Sequence, residues 1–209
     1  MDKVIERADM ATAGKVSGAG AVSPRKLAHV VLRTRSNYRE MISWYTTILG
    51  AKLVFDAGAM AFLSYDDEHH RIAIMTMPQL TDRPGWAIGL DHIAFTYADL
   101  AGLLSTYARL KEAGIRPLVS MNHGPTTSLY YRDPDKNKIE LQIDNFADMK
   151  DATRYMEQTF TANPVGVEIN PDEMLAKLRA GVPAEELVRP SQTPGPPSPT
   201  LFAAVHEAW

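Results

Sequence analysis

Two histidines occupy matching places at the start of two similar apolar segments. His29 opens "HVVLRT" (residues 29–34), and His92 opens "HIAFTY" (residues 92–97) 63 positions later. Imidazole is a common metal ligand, although a single strand histidine is more often a hydrogen-bonded core residue. Equivalent positions in a repeated unit favour the interpretation that both histidines bind one metal.

A carboxylate completes the candidate metal set. When the two halves of the chain are aligned, "RIAIM" (71–75) falls on "KIELQ" (138–142), so Glu140 takes the place of Ala73. A carboxylate in an apolar strand is costly to bury unless a positive partner holds it. His29, His92 and Glu140 match the facial triad of non-haem Fe(II) oxygenases. The alternative is that Glu140 is a surface residue on a half-exposed strand.

The elements that position these residues form a repeat. Residues 26–80 predict the order β-α-β-β-β, with a first strand at 27–34, a helix that ends at Gly50, and three short strands. Residues 88–146 predict the same order. Neither unit is large enough to bury its own apolar face, so they should pair. We therefore expect an α+β fold in which two βαβββ modules form a cupped mixed sheet.

The two ends of the chain differ from this repeat. Residues 1–25 are rich in Ala, Gly and Ser and have no secretory-type apolar stretch, which indicates a flexible N-terminal arm. Residues 147–209 predict a C-terminal extension, with one helix in "FADMKDATRYMEQTF", one in "PDEMLAKLRAGVPAEELV", and a proline-rich end. We expect the extension to pack on the domain or on a partner subunit.

Composition excludes several classes of function. The formal net charge of −3 gives no reason to expect nucleic acid or an anionic membrane as a partner. The chain has no cysteine, so disulfides, thiolate ligands and cysteine nucleophiles are excluded. No apolar run approaches the ~20 residues of a membrane span. These features predict a cytoplasmic protein, and we expect it to be a homo-oligomer.

The paired modules and the placement of His29, His92 and Glu140 resemble the vicinal oxygen chelate superfamily. This superfamily includes glyoxalase I, bleomycin-resistance proteins and the type I extradiol ring-cleaving dioxygenases. The resemblance covers residues 26–146. Glyoxalase I enzymes place a glutamate ligand where this chain has Ala73, whereas the extradiol enzymes leave that position vacant. The chain is therefore most similar to the single-domain, biphenyl-type extradiol dioxygenases.

The resemblance also implies catalytic residues. "HHRIAI" (69–74) is similar to a stretch that gives His70 the role of acid–base histidine, although a solvated turn is the alternative. Tyr130 lies ten residues before Glu140, as in the extradiol enzymes, but could be an ordinary strand aromatic. His123 is the nearby histidine, at a spacing that differs from the two-domain enzymes. Lys136 stands where the family often has a turn glycine.

The activity that the resemblance implies is Fe(II)-dependent cleavage of a catechol ring by O2, with Mn(II) as the less favoured metal. Met75 and Met77 are expected to form an apolar pocket wall that Trp86 could close. Two alternatives remain. One is another metal-dependent reaction on the same fold, such as glyoxalase-like isomerase or lyase chemistry. The other is a metal-free binding protein of the bleomycin-resistance kind.

Overall fold

The computed structural model describes residues 22–82, 84, 88–191 and 193–197. The first module contains β1 (Val30–Thr34), α1 (Tyr38–Leu49), β2 (Lys52–Asp56), β3 (Met60–Ser64) and β4 (Ile72–Thr76). The second contains β5 (His92–Thr96), α2 (Leu100–Glu112), β6 (Val119–Asn122), β7 (Thr126–Arg132) and β8 (Lys138–Asp144). The extension contains α3 (Met149–Thr159), β9 (Val167–Glu168), α4 (Pro171–Arg179) and α5 (Ala184–Leu187). The predicted α+β class and the repeated β-α-β-β-β order are confirmed. Most of the predicted N-terminal arm, residues 1–21, lies outside the described residues.

Each module forms its own mixed sheet. The strand orders are β1-β4-β3-β2 and β5-β8-β7-β6-β9. In both sheets the first strand of the module runs parallel to the last, and the remaining pairs are antiparallel. The expected cup is therefore built from two mixed sheets in the described part of the chain.

The strand registers of the two modules are equivalent. Val31 pairs with Ala73 in the first sheet, and Ala94 pairs with Glu140 in the second. Val31 follows His29 by two residues, and Ala94 follows His92 by two residues. The superposition of Ala73 on Glu140 is thus confirmed by backbone pairing.

The two faces of each sheet have different environments. On one face, buried side chains of the strands and of α1 and α2 form a common core that includes Leu32, Ile74, Leu141, Tyr45 and Leu103. Burial of this apolar surface is the main stabilising contribution to the fold. Residues alternate between faces along a strand, so the opposite face of β1 carries Val31, which is 48% exposed. The open face is therefore the one that carries the candidate site residues.

A buried carboxylate ties the two modules together. Asp133, in the turn between β7 and β8, is 4% exposed. Its Oδ2 accepts a hydrogen bond from the Tyr45 hydroxyl of α1 at 3.0 Å, and its Oδ1 accepts from the backbone N–H groups of Asp135 and Asn137 at 2.9 and 2.8 Å. These four residues link the first module to the hairpin that precedes Glu140.

Asp133→Ala should destabilise the fold. The substitution leaves the buried Tyr45 hydroxyl and the turn N–H groups without their acceptor, and an unsatisfied buried group costs about 1–3 kcal/mol. We expect the free energy of unfolding in urea to fall by at least about 2 kcal/mol. Asp133→Asn keeps one acceptor oxygen and should lose less. An unchanged unfolding midpoint for Asp133→Ala would show that this turn does not hold the modules together.

The same turn contains a lysine in a backbone conformation that glycine usually adopts. Lys136 has φ +68°, and no other non-glycine residue in the described ranges has a positive φ. Its backbone N–H donates to the Asp133 carbonyl at 2.9 Å. The lysine therefore adopts the left-handed conformation that the turn requires, a conformation that costs a residue with a Cβ about 1–2 kcal/mol.

The C-terminal extension packs on the second module. The single helix predicted for 171–188 is wrong, because α4 ends at Arg179 and α5 begins at Ala184. Gly181 at φ +88° and Pro183 interrupt it, since proline cannot continue a helix interior. The short strand β9, which was not predicted, extends the second sheet beyond β6. Within the described residues, no helix combines the length and apolar character needed to cross a bilayer.

Candidate active site

His92 and Glu140 meet on the open face of the second sheet. Their strands β5 and β8 are parallel neighbours, and His92 Nε2 lies 2.9 Å from Glu140 Oε2. The other nitrogen of His92, Nδ1, lies 2.5 Å from Asp91 Oδ2, which also accepts from Lys138 Nζ at 3.3 Å. Glu140 is 4% exposed and also accepts hydrogen bonds from the Ser128 and Tyr130 hydroxyls. The imidazole is therefore oriented from both sides by carboxylates.

The charges in this pair reinforce each other. The hydrogen bond to Glu140 raises the pKa of His92, and this contribution outweighs the burial that opposes it. Burial alone would raise the pKa of Glu140, but hydrogen bonds from His92, Ser128 and Tyr130 together bring it below its usual value. The carboxylate is thus held ionised in a buried position, where it favours a positive group beside it.

His123 and Tyr130 adjoin the same carboxylate. Tyr130 on β7 pairs with Glu140 on β8 in the backbone register. The Tyr130 hydroxyl lies 2.8 Å from His123 Nε2, and His123 Nδ1 lies 2.5 Å from the Val165 carbonyl oxygen. Burial lowers the pKa of His123 and raises that of Tyr130. His92, Glu140, Tyr130 and His123 therefore form a connected polar cluster.

The first module carries a separate histidine group. The rings of His29 and His70 lie 4.3 Å apart between centroids, and His70 also contacts Phe62 at 4.8 Å and His69 at 4.4 Å. Phe62 pairs with Ala73 on β4, just as Tyr130 pairs with Glu140. Burial, with His29 and His69 nearby, lowers the pKa of His70, which favours its neutral form.

The predicted site residues are thus brought together in two groups. His92, Glu140, Tyr130 and His123 form one group, and His29 with His70 forms the other. In the part of the chain that the structure describes, no three His, Cys, Asp or Glu side chains are arranged to hold a metal ion. The convergence of an imidazole nitrogen and an ionised carboxylate nevertheless fits two ligands of an Fe(II) or Mn(II) site, which prefers nitrogen and oxygen donors.

Three residues of the site were missed from the sequence. Asp91 directly precedes His92, and that adjacency is a signal that could have identified it. Ser128 lies two residues before Tyr130 on the same face of β7, so strand alternation could have placed it beside Glu140. Val165 acts through its carbonyl, for which side-chain type gives no signal.

The predicted pocket wall is described only in part. Met75 pairs with Arg33 and Met60 within the first sheet, on the face of Ala73. Met77 lies just past the end of β4. Trp86 lies outside the described residues.

Comparison with known proteins places this chain in a family. A model of the Glyoxalase/Bleomycin resistance protein/Dioxygenase superfamily matches residues 26–141. The chain belongs to this superfamily. A structure titled glyoxylase/bleomycin resistance protein/dioxygenase domain from Frankia sp. EAN1pec has a TM-score of 0.49 and 22% identity, and the match covers 58% of this chain and 99% of that one. Lactoylglutathione lyase from Agrobacterium tumefaciens has a TM-score of 0.47 and 19% identity, over 57% of this chain and 94% of that one.

Two relatives are much more similar in sequence, and both are from Rhodococcus globerulus. Biphenyl-2,3-diol 1,2-dioxygenase 3 is 46% identical over 79% of this chain and 88% of its own. Biphenyl-2,3-diol 1,2-dioxygenase 2 is 42% identical over 84% of this chain and 95% of its own. These relatives confirm the predicted resemblance to extradiol dioxygenases and the prediction of an enzyme of that kind. Both alignments are longer than the 26–141 match, so they extend beyond the superfamily model into the flanking residues.

Proposed function

We propose that this protein cleaves the ring of a catechol-type aromatic with O2, beside the two hydroxyl-bearing carbons, and uses Fe(II) to do so. The observation that carries the proposal is the 2.9 Å contact between His92 Nε2 and the buried Glu140 carboxylate, with Tyr130 and His123 next to it. Both similar dioxygenases carry a catechol, biphenyl-2,3-diol, in their names. In this reaction one ring carbon–carbon bond breaks and both oxygen atoms enter the product, so no external reductant is consumed.

His29, His92 and Glu140 are the proposed ligands of the iron. His92 and Glu140 already converge, and His29 occupies the position in the first module that His92 occupies in the second. Asp91 holds the far nitrogen of His92, an arrangement that fixes the orientation of metal-binding histidines. When bound, the metal supplies Lewis acidity toward the catechol oxygens and brings both reactants to one place.

The remaining site residues act on the substrate. His70 is proposed as the acid–base group, because its lowered pKa keeps Nδ1 or Nε2 available to take a catechol hydroxyl proton near neutral pH. Tyr130 and His123 form a polar wall beside Glu140 and are proposed to hydrogen-bond the substrate oxygens. The apolar side chains of Val31, Phe62 and Met75 share the open face with His29 and suit an aromatic ring.

An oxygen electrode tests the proposed reaction. The purified full-length protein, loaded anaerobically with Fe(II), should consume O2 when biphenyl-2,3-diol or another catechol from a panel is added, and a yellow ring-opened product should appear. The same protein treated with a chelator should consume none. Substrate loss without oxygen uptake would favour isomerase or lyase chemistry. Tight binding of an aromatic with neither metal nor turnover would favour a bleomycin-resistance type of binding protein.

Ala73→Glu tests which kind of metal chemistry the site supports. Ala73 is 1% exposed and has the register position in the first sheet that Glu140 has in the second. A glutamate there would place a second carboxylate on the open face. The added ligand would crowd a coordination position that substrate or O2 needs. We expect metal binding to be retained or tightened while ring cleavage is lost, as measured by metal analysis and oxygen uptake.

Ala73→Gln is the matched control, because a neutral amide has nearly the same bulk but is a poorer ligand. Ala73→Gln should bind the metal no more tightly than the wild-type protein does. If Ala73→Glu cleaves catechol at the wild-type rate, the position does not face the metal, and the argument against a site with four protein ligands is lost.

A further inference from the structure

The loop that carries His123 is enclosed by the C-terminal extension. Gly124 has φ +96°, and a Cβ at this position would lie 2.1 Å from Tyr155 Cε1 of α3. Asn122, which directly precedes His123, donates from Nδ2 to the Val188 carbonyl at 2.9 Å. The superfamily match ends at residue 141. The extension is therefore an addition to the shared fold that lies directly against a site residue.

Residues 163–169 of the extension, called here the 163–169 segment, lie directly against His123. A Cβ on Gly166 (φ +107°) would lie 2.3 Å from the Asn122 carbonyl oxygen and 2.7 Å from His123 Cα. The backbone of this segment is fixed by Asn163, whose Oδ1 accepts from the N–H groups of Val165 and Gly166 at 3.0 and 2.8 Å. Asn163 is itself buried. The Val165 carbonyl is thus held in one orientation.

This carbonyl determines which nitrogen of His123 carries the proton. A carbonyl oxygen can only accept a hydrogen bond, so His123 Nδ1, 2.5 Å away, must be the donor. In a neutral imidazole the other nitrogen then has a free lone pair. His123 Nε2 therefore presents an acceptor to the Tyr130 hydroxyl, 2.8 Å away. The single Tyr130 hydroxyl proton then lies between two acceptors, His123 Nε2 and the Glu140 carboxylate, and the Tyr130 oxygen keeps its lone pairs for another donor.

We propose that the Val165 carbonyl of the C-terminal extension is a positioning group for the active site, which holds His123 as its Nδ1–H tautomer and so turns the Nε2 lone pair toward the Tyr130 hydroxyl. Val165 does not touch substrate and acts only through His123. The consequence for function rests on the proposed ring cleavage: Tyr130 presents an acceptor, not a donor, to a substrate hydroxyl. The tautomer itself does not depend on that reaction.

The decisive experiment compares two glycine variants of the full-length protein. Gly166→Ala introduces a Cβ that collides with the His123 loop and should displace the 163–169 segment. Gly181→Ala is the matched control, because Gly181 also has a positive φ (+88°) in the extension but would place its Cβ against nothing within 4 Å. Asn163→Ala is a second variant that loosens the segment without adding atoms. It decides the question if Gly166→Ala does not fold.

The first measurement is nitrogen-15 NMR of histidine-labelled, metal-free protein, with His123 assigned by its loss in His123→Gln. Wild type and Gly181→Ala should show a protonated Nδ1 and an unprotonated Nε2 for His123. Gly166→Ala or Asn163→Ala should shift this residue toward a mixture of tautomers. A wild-type His123 protonated at Nε2, or an unchanged spectrum in both loosened variants, would overturn the proposal.

The second measurement is a double-mutant cycle on ring cleavage of biphenyl-2,3-diol. Gly166→Ala should lower kcat/KM by about 10-fold, the lower end of the cost of losing a supporting partner. In the His123→Gln background the same change should have no further effect, because the segment acts through His123. If the effects of Gly166→Ala and His123→Gln on kcat/KM instead multiply, the 163–169 segment has a merely structural role. If no variant, wild type included, cleaves the ring, the proposed function fails while the NMR result still decides the tautomer.

Discussion

His92→Ala is expected to remove the iron and the activity together. His92 and Glu140 are the two proposed ligands that the structure places in contact, and loss of His92 also leaves the buried Glu140 carboxylate without its positive partner. Supporting residues around a metal cost about 10–100-fold in affinity when mutated, so loss of a ligand should exceed that range. The measurement is metal content by elemental analysis, together with oxygen uptake, on protein whose fold is verified by circular dichroism.

The control for this loss is His69→Ala. His69 is a histidine of the first module, but its side chain is 72% exposed and it is not a proposed ligand. This variant should keep its iron. Full iron occupancy in His92→Ala would contradict the ligand assignment, and so would a loss of iron in His69→Ala as large as that in His92→Ala.

His70→Gln is expected to keep the metal and lose most of the turnover. Glutamine can hydrogen-bond but cannot take up a proton, so the acid–base step is lost while the shape of the site is preserved. General acid–base groups contribute about 10²–10⁴-fold, and kcat should fall within that range. Steady-state kinetics give kcat, and anaerobic titration with biphenyl-2,3-diol checks that substrate still binds.

His69→Gln provides the comparison for the acid–base role. The two side chains are adjacent, and their Nδ1 atoms lie 2.6 Å apart, but His70 is the one in contact with both His29 and Phe62. We expect His69→Gln to change kcat only slightly. A wild-type kcat in His70→Gln would transfer the acid–base role to another group, with His123 as the next candidate.

The sequence predicted the fold through its repeat. The equivalent positions of His29 and His92 indicated two β-α-β-β-β units. The alignment of Ala73 with Glu140 agrees with the strand registers of the two sheets. Hydrophobic periodicity carries this information because each unit must bury one face against its helices. The break between α4 and α5 was missed even though Pro183 marks it, because the apolar spacing continued across Gly181.

The site was less accessible from the sequence. Residue types and the repeat predicted His92 and Glu140 as site residues, and the family resemblance added Tyr130. The three residues lie on neighbouring strands. Residue types and the repeat could not show that His29 contacts His70, because that contact depends on side-chain rotamers and on the path of the chain before β1. Nor could they show the Val165 carbonyl beside His123. Every residue has the same backbone carbonyl acceptor, and only the fold determines which one lies beside the histidine.

Isotope labelling of the product tests the central claim most directly. The Fe(II)-loaded protein is given biphenyl-2,3-diol under ¹⁸O2, and the product is analysed at once by mass spectrometry and by its visible absorption. Extradiol cleavage predicts a yellow, ring-opened product that carries two heavy oxygen atoms, with one O2 consumed for each substrate molecule. A product without heavy oxygen, or a colourless product opened between the two hydroxyl-bearing carbons, would contradict it.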